Sequence, residues 1–267
     1  MFGHLSSPSR VLRSSSVCLS MLGCLTLSAC GGGGGGDSPA LTPPPAVNQG
    51  VYVGTTSNTS APDFQMLVLE DGEVWAIYGT QSSGTFFVES FVQGQASFSN
   101  GQISASNIRD HGFLPAISGS LTGTYTSDPA VAGQITYGSS GTVTFSANGM
   151  TESTYDYQVP AQLSEISGGW STSLTTGETA SLTISNTGAV GGVSSSGCSF
   201  TGQVDPSASG KNVFDVRLTF TSSQCALQGQ TATGIGLTYV TTSGPRQLIV
   251  LVQNSARTAG VAAFGTR

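Results

Sequence analysis

The chain has 267 residues and a formal net charge of −6, and only 8% of its residues are charged, against about 25% in ordinary soluble proteins. Ser, Thr, Asn and Gln must therefore supply most of the polar surface, and the acidic balance argues against nucleic acid as a partner. The charge is uneven: between Gly50 and Pro160 nine acids face Arg109 alone, whereas Ala161 to Arg267 carries four acids and five bases.

Residues 1–29 have the three parts of a secretory signal: Arg10 and Arg13, an apolar stretch through Val17, Leu19, Leu22 and Leu25, then small residues. A stretch of about 15 residues is too short to span a bilayer as a helix. Leu27-Ser28-Ala29-Cys30 follows in register and resembles the lipobox of bacterial lipoproteins. That resemblance implies removal of 1–29 and acylation of Cys30, which anchors the chain to a membrane without a transmembrane helix. Gly31 rather than Asp follows the cysteine, which by the same resemblance implies sorting to the outer membrane, with the leaflet left open.

Residues 30–49 read as a tether, with six glycines from Gly31 to Gly36 and then Pro39, Pro43, Pro44 and Pro45. A flexible chain of ~19 residues has an end-to-end distance on the order of 25 Å. The folded part is thus expected to stand clear of the lipid.

From Val51 onward, apolar and polar residues alternate over short runs separated by turn residues, the pattern of an all-β chain. Three hairpins are predicted. Phe64 to Leu69 and Val74 to Tyr78 flank Asp71-Gly72, Ala96 to Ser99 and Gln102 to Ile108 flank Asn100-Gly101, and Thr142 to Ala147 and Glu152 to Val159 flank Asn148-Gly149. Each dipeptide suits a type I′ turn. Ser118 to Thr126 and Val131 to Tyr137 are joined across Ser127 to Ala130, and Gly138 to Gly141 leads onward, so the expected order is an antiparallel meander.

The second half continues in the same style, with strands at Ala180 to Ser185, Cys198 to Val204, Val213 to Thr221, a region ending near Thr242, and Gln247 to Gln253. Pairing Phe214 with Val204 sets Phe200 opposite Leu218 and Cys198 opposite Phe220, with all of these on the buried side. Cys198 and Cys225 are the only cysteines beyond Cys30, so a disulfide is expected in an exported chain. A weak repeat is also visible: Gly50-Val51-Tyr52 recurs as Gly168-Gly169-Trp170, and Asp71-Gly72 is answered by Thr187-Gly188. These features divide the body into an N-terminal lobe, 50–160, and a C-terminal lobe, 161–267, built as one or two small antiparallel β-barrels or sandwiches.

Catalytic patterns are absent from the sequence: there is no Gly-x-Ser-x-Gly, no His-Glu-x-x-His and no Gly-x-x-x-x-Gly-Lys-Ser/Thr. Arg109-Asp110-His111 brings a base, an acid and the only histidine beyond the leader into one segment, and is the candidate binding loop. Glu70, Asp71 and Glu73 crowd a turn but lack the spaced oxygen ligands of a calcium loop, so no metal or cofactor is expected. Tyr155 and Tyr157 alternate onto one face, suited to packing or to stacking on sugar rings.

The plan of lipobox, Gly-rich tether and Gly-rich antiparallel lobes resembles surface lipoproteins of the transferrin-binding protein B and factor H-binding protein kinds. This resemblance implies a non-enzymatic, outer-membrane-anchored binding module with a protein or glycan partner. The alternatives are a periplasm-facing lipoprotein with an inhibitory or envelope-assembly role and, less favoured, a hydrolase. A membrane-spanning β-barrel is disfavoured because the strands show no outward aromatic girdles.

Overall fold

Period-two alternation gives each strand one face to hide, and the chain hides those faces by closing two rings. A computed structural model describes residues 48–82, 85–126, 129–150, 155–241 and 244–267. The leader, Cys30 and the glycine run lie outside the described residues, as do Ser127-Asp128 and Thr242-Ser243.

The first ring contains β1 (Gly50–Thr56), β2 (Asp63–Val68), β3 (Glu73–Ser82), β4 (Thr85–Gln95), β6 (Gln102–Asp110), β7 (Ile117–Tyr125), β8 (Ala130–Thr136) and β9 (Thr142–Gly149), with the short β5 (Ser97–Ser99) paired to β6. Each strand pairs antiparallel with its neighbour in the chain; β9 returns to β1, and β4 meets β6 at Val92↔Asp110. The second ring is a closed meander of β10 (Gly168–Leu174), β11 (Thr179–Ile184), β12 (Ala189–Ser194), β13 (Ser199–Pro206), β14 (Phe214–Phe220), β15 (Thr231–Val240), β16 (Arg246–Asn254) and β17 (Gly260–Thr266). The body is thus two closed eight-stranded antiparallel barrels.

The repeat seen in the sequence marks equivalent places in the two rings. Gly50 (φ 139°) and Gly168 (φ 117°) open the first strand of each, and Tyr52 and Trp170 point inward two residues later. At the second turn, Leu69 N donates to Glu73 O in one ring and Ser185 N to Ala189 O in the other. Gly72 (φ 87°) and Gly188 (φ 84°) take the same left-handed conformation there, and each carbonyl accepts from the next strand over, from Ala96 N and Val204 N.

Several expectations need correction. Asn100-Gly101 has positive φ at both residues and is the type I′ turn predicted, but at Asp71-Gly72 only the glycine is left-handed, so that loop is longer. Asn148-Gly149 makes no turn: β9 runs through it, paired to β8 on one side and β1 on the other. Ladders on both edges outweigh a local turn preference. The predicted strand Glu152 to Val159 is not formed at Tyr155 to Val159, and residues 151–154 lie outside the described residues. Val204 pairs with Val216 and Phe200 with Phe220, a slip of two from the expected register. A slip of two preserves which face each side chain takes, so Phe214, Val216, Leu218 and Phe220 still point inward.

Each barrel has one closed end. In the first, Phe98 of β5 packs edge-on to Tyr125 (5.4 Å) at the end where the chain enters. In the second, α1 (Leu163–Ile166) covers the end, with Trp170 Nε1 donating to Ile166 O and the Arg267 guanidinium over the indole.

The barrels meet wall to wall. Leu67, Trp75, Ile77 and Phe91 on the outside of the first pack against Ile235, Ile249, Leu251 and Ala262 on the outside of the second. Strands in this layer are buried on both faces, which is why Met66-Leu67-Val68-Leu69 and Ile249-Val250-Leu251-Val252 lose their alternation. Tyr155 and Tyr157 belong to the same layer and pack there: Tyr155 Oη donates to Asn212 O, and Tyr157 Oη to Glu70 Oε2 at 3.0 Å.

Candidate functional site

In the first barrel the apolar packing stops short of the end opposite the chain entry, leaving a cavity of about 340 Å³. Its walls are Phe64, Met66, Leu121, Ile135 and Phe145, and its rim is formed by the β1–β2 loop at Asn58 and by Gly112 and Phe113 after β6. Asp110, the last residue of β6, turns into this space. It is 6% exposed; Oδ1 accepts from Tyr78 Oη at 2.8 Å and from Gly112 N at 2.9 Å, and Tyr137 also donates to the carboxylate. Burial and the facing carboxylate push both phenols well above the usual tyrosine range, so they remain donors.

Arg109-Asp110-His111 does not form one binding loop. Arg109 and Asp110 lie inside β6, where neighbouring side chains take opposite faces. Arg109 points outward and donates to Ser118 Oγ, while Asp110 points into the lumen. His111 turns to the layer between the barrels, stacked on Phe91 (4.3 Å, 13°) with Nε2 3.0 Å from Gln253 Oε1. Asp110 and His111 therefore spend their hydrogen bonds on different partners and do not form a dyad. Gly260 makes the stack fit, since a Cβ there would lie 2.5 Å from the Phe91 ring and 2.8 Å from His111 Nδ1.

Burial holds the His111 pKa below its ordinary value, and Nδ1 has no hydrogen-bond partner. Above the unfolded value of about 6.5, neither state carries the proton and the ring adds no pH dependence. As pH falls below it, the unfolded chain takes up a proton that the folded ring resists, so stability declines toward the lower folded-state pKa at up to about 1.4 kcal/mol per pH unit. His111→Gln is expected to flatten urea-derived stability between pH 7 and pH 5 relative to the parent; identical slopes in the two proteins would refute this.

The second barrel holds a smaller cavity of about 100 Å³, also open at the end away from its cap. Leu182, Val204, Phe220 and Val252 line it, with Thr176, Glu178 and Gln224 at the rim. Glu178 is a surface carboxylate that accepts from Ser196 Oγ at 2.8 Å. The Cys198–Cys225 disulfide is formed and ties the strand opening at Ser199 to the loop after β14. At the β2–β3 turn, Glu73 accepts from Gln93 Nε2 at 2.6 Å and Asp71 Oδ1 from Glu73 N at 2.9 Å. No group of three metal-ligating side chains occurs among the described residues.

The two mouths share a side. At the mouth ends, Ala116 N donates to Thr258 O between loops of different barrels. At the closed ends, Glu70 of the β2–β3 turn meets Tyr157, whose carbonyl accepts from Asn212 N beside the β13–β14 loop. Arg257, in the β16–β17 turn (φ 54°), reaches across to the carbonyls of Asn107 (2.7 Å) and Gln93 (3.2 Å) and locks the pair. The side-by-side arrangement leaves one trace in the sequence, the loss of alternation in β2 and β16.

The fold and its lumens define a tandem of up-and-down barrels, each closed at one end and open at the other. No protein-family model matches the chain, and no curated protein matches it. Among solved structures it is similar to Aeromonas veronii immune modulator A, at 13% identity and TM-score 0.36 over 84% of this chain and 96% of that one. It is also similar to a variant of transferrin binding protein B from Haemophilus parasuis, at 9% identity and TM-score 0.27 over 84% of this chain and 76% of that one. A protein of the DUF3598 family from Nostoc punctiforme is similar at 11% identity and TM-score 0.24 over 82% of this chain and 96% of that one. None of these likenesses lends this chain a residue role.

Proposed function

We propose that the chain is an outer-membrane lipoprotein, acylated at Cys30, whose double barrel is a non-enzymatic binding module facing a protein or glycan partner. The observation that carries this reading is the polarity of the first barrel. The chain enters at Gly50 beside the end filled by Phe98, and β1 runs from there to the β1–β2 loop at the mouth. An anchor N-terminal to Gly50 is therefore joined to the body at its closed end, the end opposite both mouths. Leu27-Ser28-Ala29-Cys30 and Gly31 support the lipid attachment and its outer-membrane destination. Acyl chains contribute about 0.8 kcal/mol per buried CH2, so loss of the thiol removes the whole attachment.

Cys30→Ser is expected to move the protein from the membrane pellet to the soluble fraction; retention in the pellet would end the anchor assignment. Protease added to intact cells is expected to degrade the body. Protection until the outer membrane is permeabilised would reassign it to the periplasmic face.

A further inference from the structure

We propose that the mouth of the first barrel binds a small amphiphilic ammonium compound, with its apolar body in the lumen and its cationic head on Asp110. A cavity of about 340 Å³ lies within the ~300–1,000 Å³ range of small-molecule sites. Asp110 and Glu89 line it, and among the described residues no Lys, Arg or His does. Among the described residues the donors to Asp110 are neutral, namely Tyr78, Tyr137 and the Gly112 amide. Of its two basic neighbours in the chain, Arg109 is turned through the wall to Ser118 and His111 is turned to Phe91 and Gln253 between the barrels.

The donors hold the carboxylate in place without neutralising it, and a cation entering from the mouth supplies the missing charge in a setting where Coulomb attraction is weakly screened. The surrounding rings add to this. Phe64 and Phe145 pack edge to face at 5.8 Å in the same wall, and Tyr78 and Tyr137 flank the carboxylate, so an ammonium group meets aromatic surface as well as charge. The same groups repel an anion. Among the described residues the second barrel has no counterpart, because there the only acid lining its cavity is Glu178, at the rim.

This inference rests on the binding-module reading and names its ligand class. The test is calorimetric titration of the lipidated full chain in neutral detergent with benzylammonium, benzyl alcohol and benzoate, which share a ring and differ in charge. Benzylammonium is expected to bind at least tenfold more tightly than the alcohol, and benzoate not at all. Asp110→Asn, which keeps an acceptor for Tyr78 and Gly112, should erase that preference while leaving the alcohol affinity in place. Should that variant fail to fold, Glu89→Lys at the exposed rim is expected to weaken benzylammonium and admit benzoate. Equal affinity for ammonium and alcohol, or a preference that survives Asp110→Asn, overturns the ligand class and leaves the lumen a binding site. Absence of binding by all three probes overturns this inference and leaves the binding-module reading standing, since that reading is tested separately by protease on intact cells.

Discussion

Trp75→Ala is expected to cost about 3 to 5 kcal/mol of unfolding free energy, the range for deleting a large buried aromatic. The indole is 2% exposed and stacks on Phe91 with ring centres 5.9 Å apart, in the apolar layer joining the two barrels. Neither side of that layer can close over the void, because each is a barrel wall held by its own ladder of hydrogen bonds. The loss should therefore fall at the upper end of the range. The layer also couples the rings, so calorimetry of the variant is expected to resolve two transitions where the parent shows one. Val53→Ala, on the exposed outside of β1, serves as the control and should stay within about 0.5 kcal/mol. A Trp75→Ala cost below about 1 kcal/mol would mean that the barrels do not depend on this contact.

The second large effect belongs to the disulfide. Cys198 and Cys225 are 27 residues apart, and chain-entropy arithmetic for a loop of that size gives roughly 3 to 4 kcal/mol, exerted by narrowing the unfolded ensemble. The enclosed segment holds β13 and β14, so the bond joins the outer ends of a hairpin whose register is already set by seven pairs from Phe200↔Phe220 to Pro206↔Phe214. Reduction of the parent and the Cys198→Ala/Cys225→Ala variant should show the same drop in urea midpoint, with a steeper slope because the freed unfolded chain exposes more surface. An unchanged slope with a lower midpoint would place the effect in the folded state instead. Retention of the parent midpoint by both would remove the disulfide as a source of stability.

What could be read from the sequence follows from what each signal measures. Alternation names strand faces, so the inward set Phe214, Val216, Leu218 and Phe220 was legible, while register was not, because two pairings differing by two residues bury the same side chains. Asn100-Gly101 forms its turn because nothing competes with it, whereas Asn148-Gly149 is overruled by ladders on both edges. β12 escaped notice because Gly191 and Gly192 interrupt its pattern, yet Gly192 is where the Phe200 ring sits, 2.4 Å from where a Cβ would stand. β17 is built largely of small residues and carries little apolar signal of its own. At the candidate site, Asp110 was visible as an acid, but Tyr78 and Tyr137 reach it only through ring closure, which no local pattern records.

The repeated plan of the two barrels also bears on how the chain reaches its native state. Each ring closes by joining its first strand to its last, β1 to β9 and β10 to β17, so each must form a contact far apart in sequence before it is complete. Two rings with matching strand order offer each other plausible wrong partners, the usual route to strand exchange in repeat-bearing proteins. Synthesis from the N-terminus limits this: β9 ends at Gly149 and β10 begins at Gly168, so the first ring has all its strands before any strand of the second exists. The order of the barrels along the chain thus acts as a kinetic safeguard, and refolding from the fully denatured chain, where that order is lost, is where cross-paired species should accumulate.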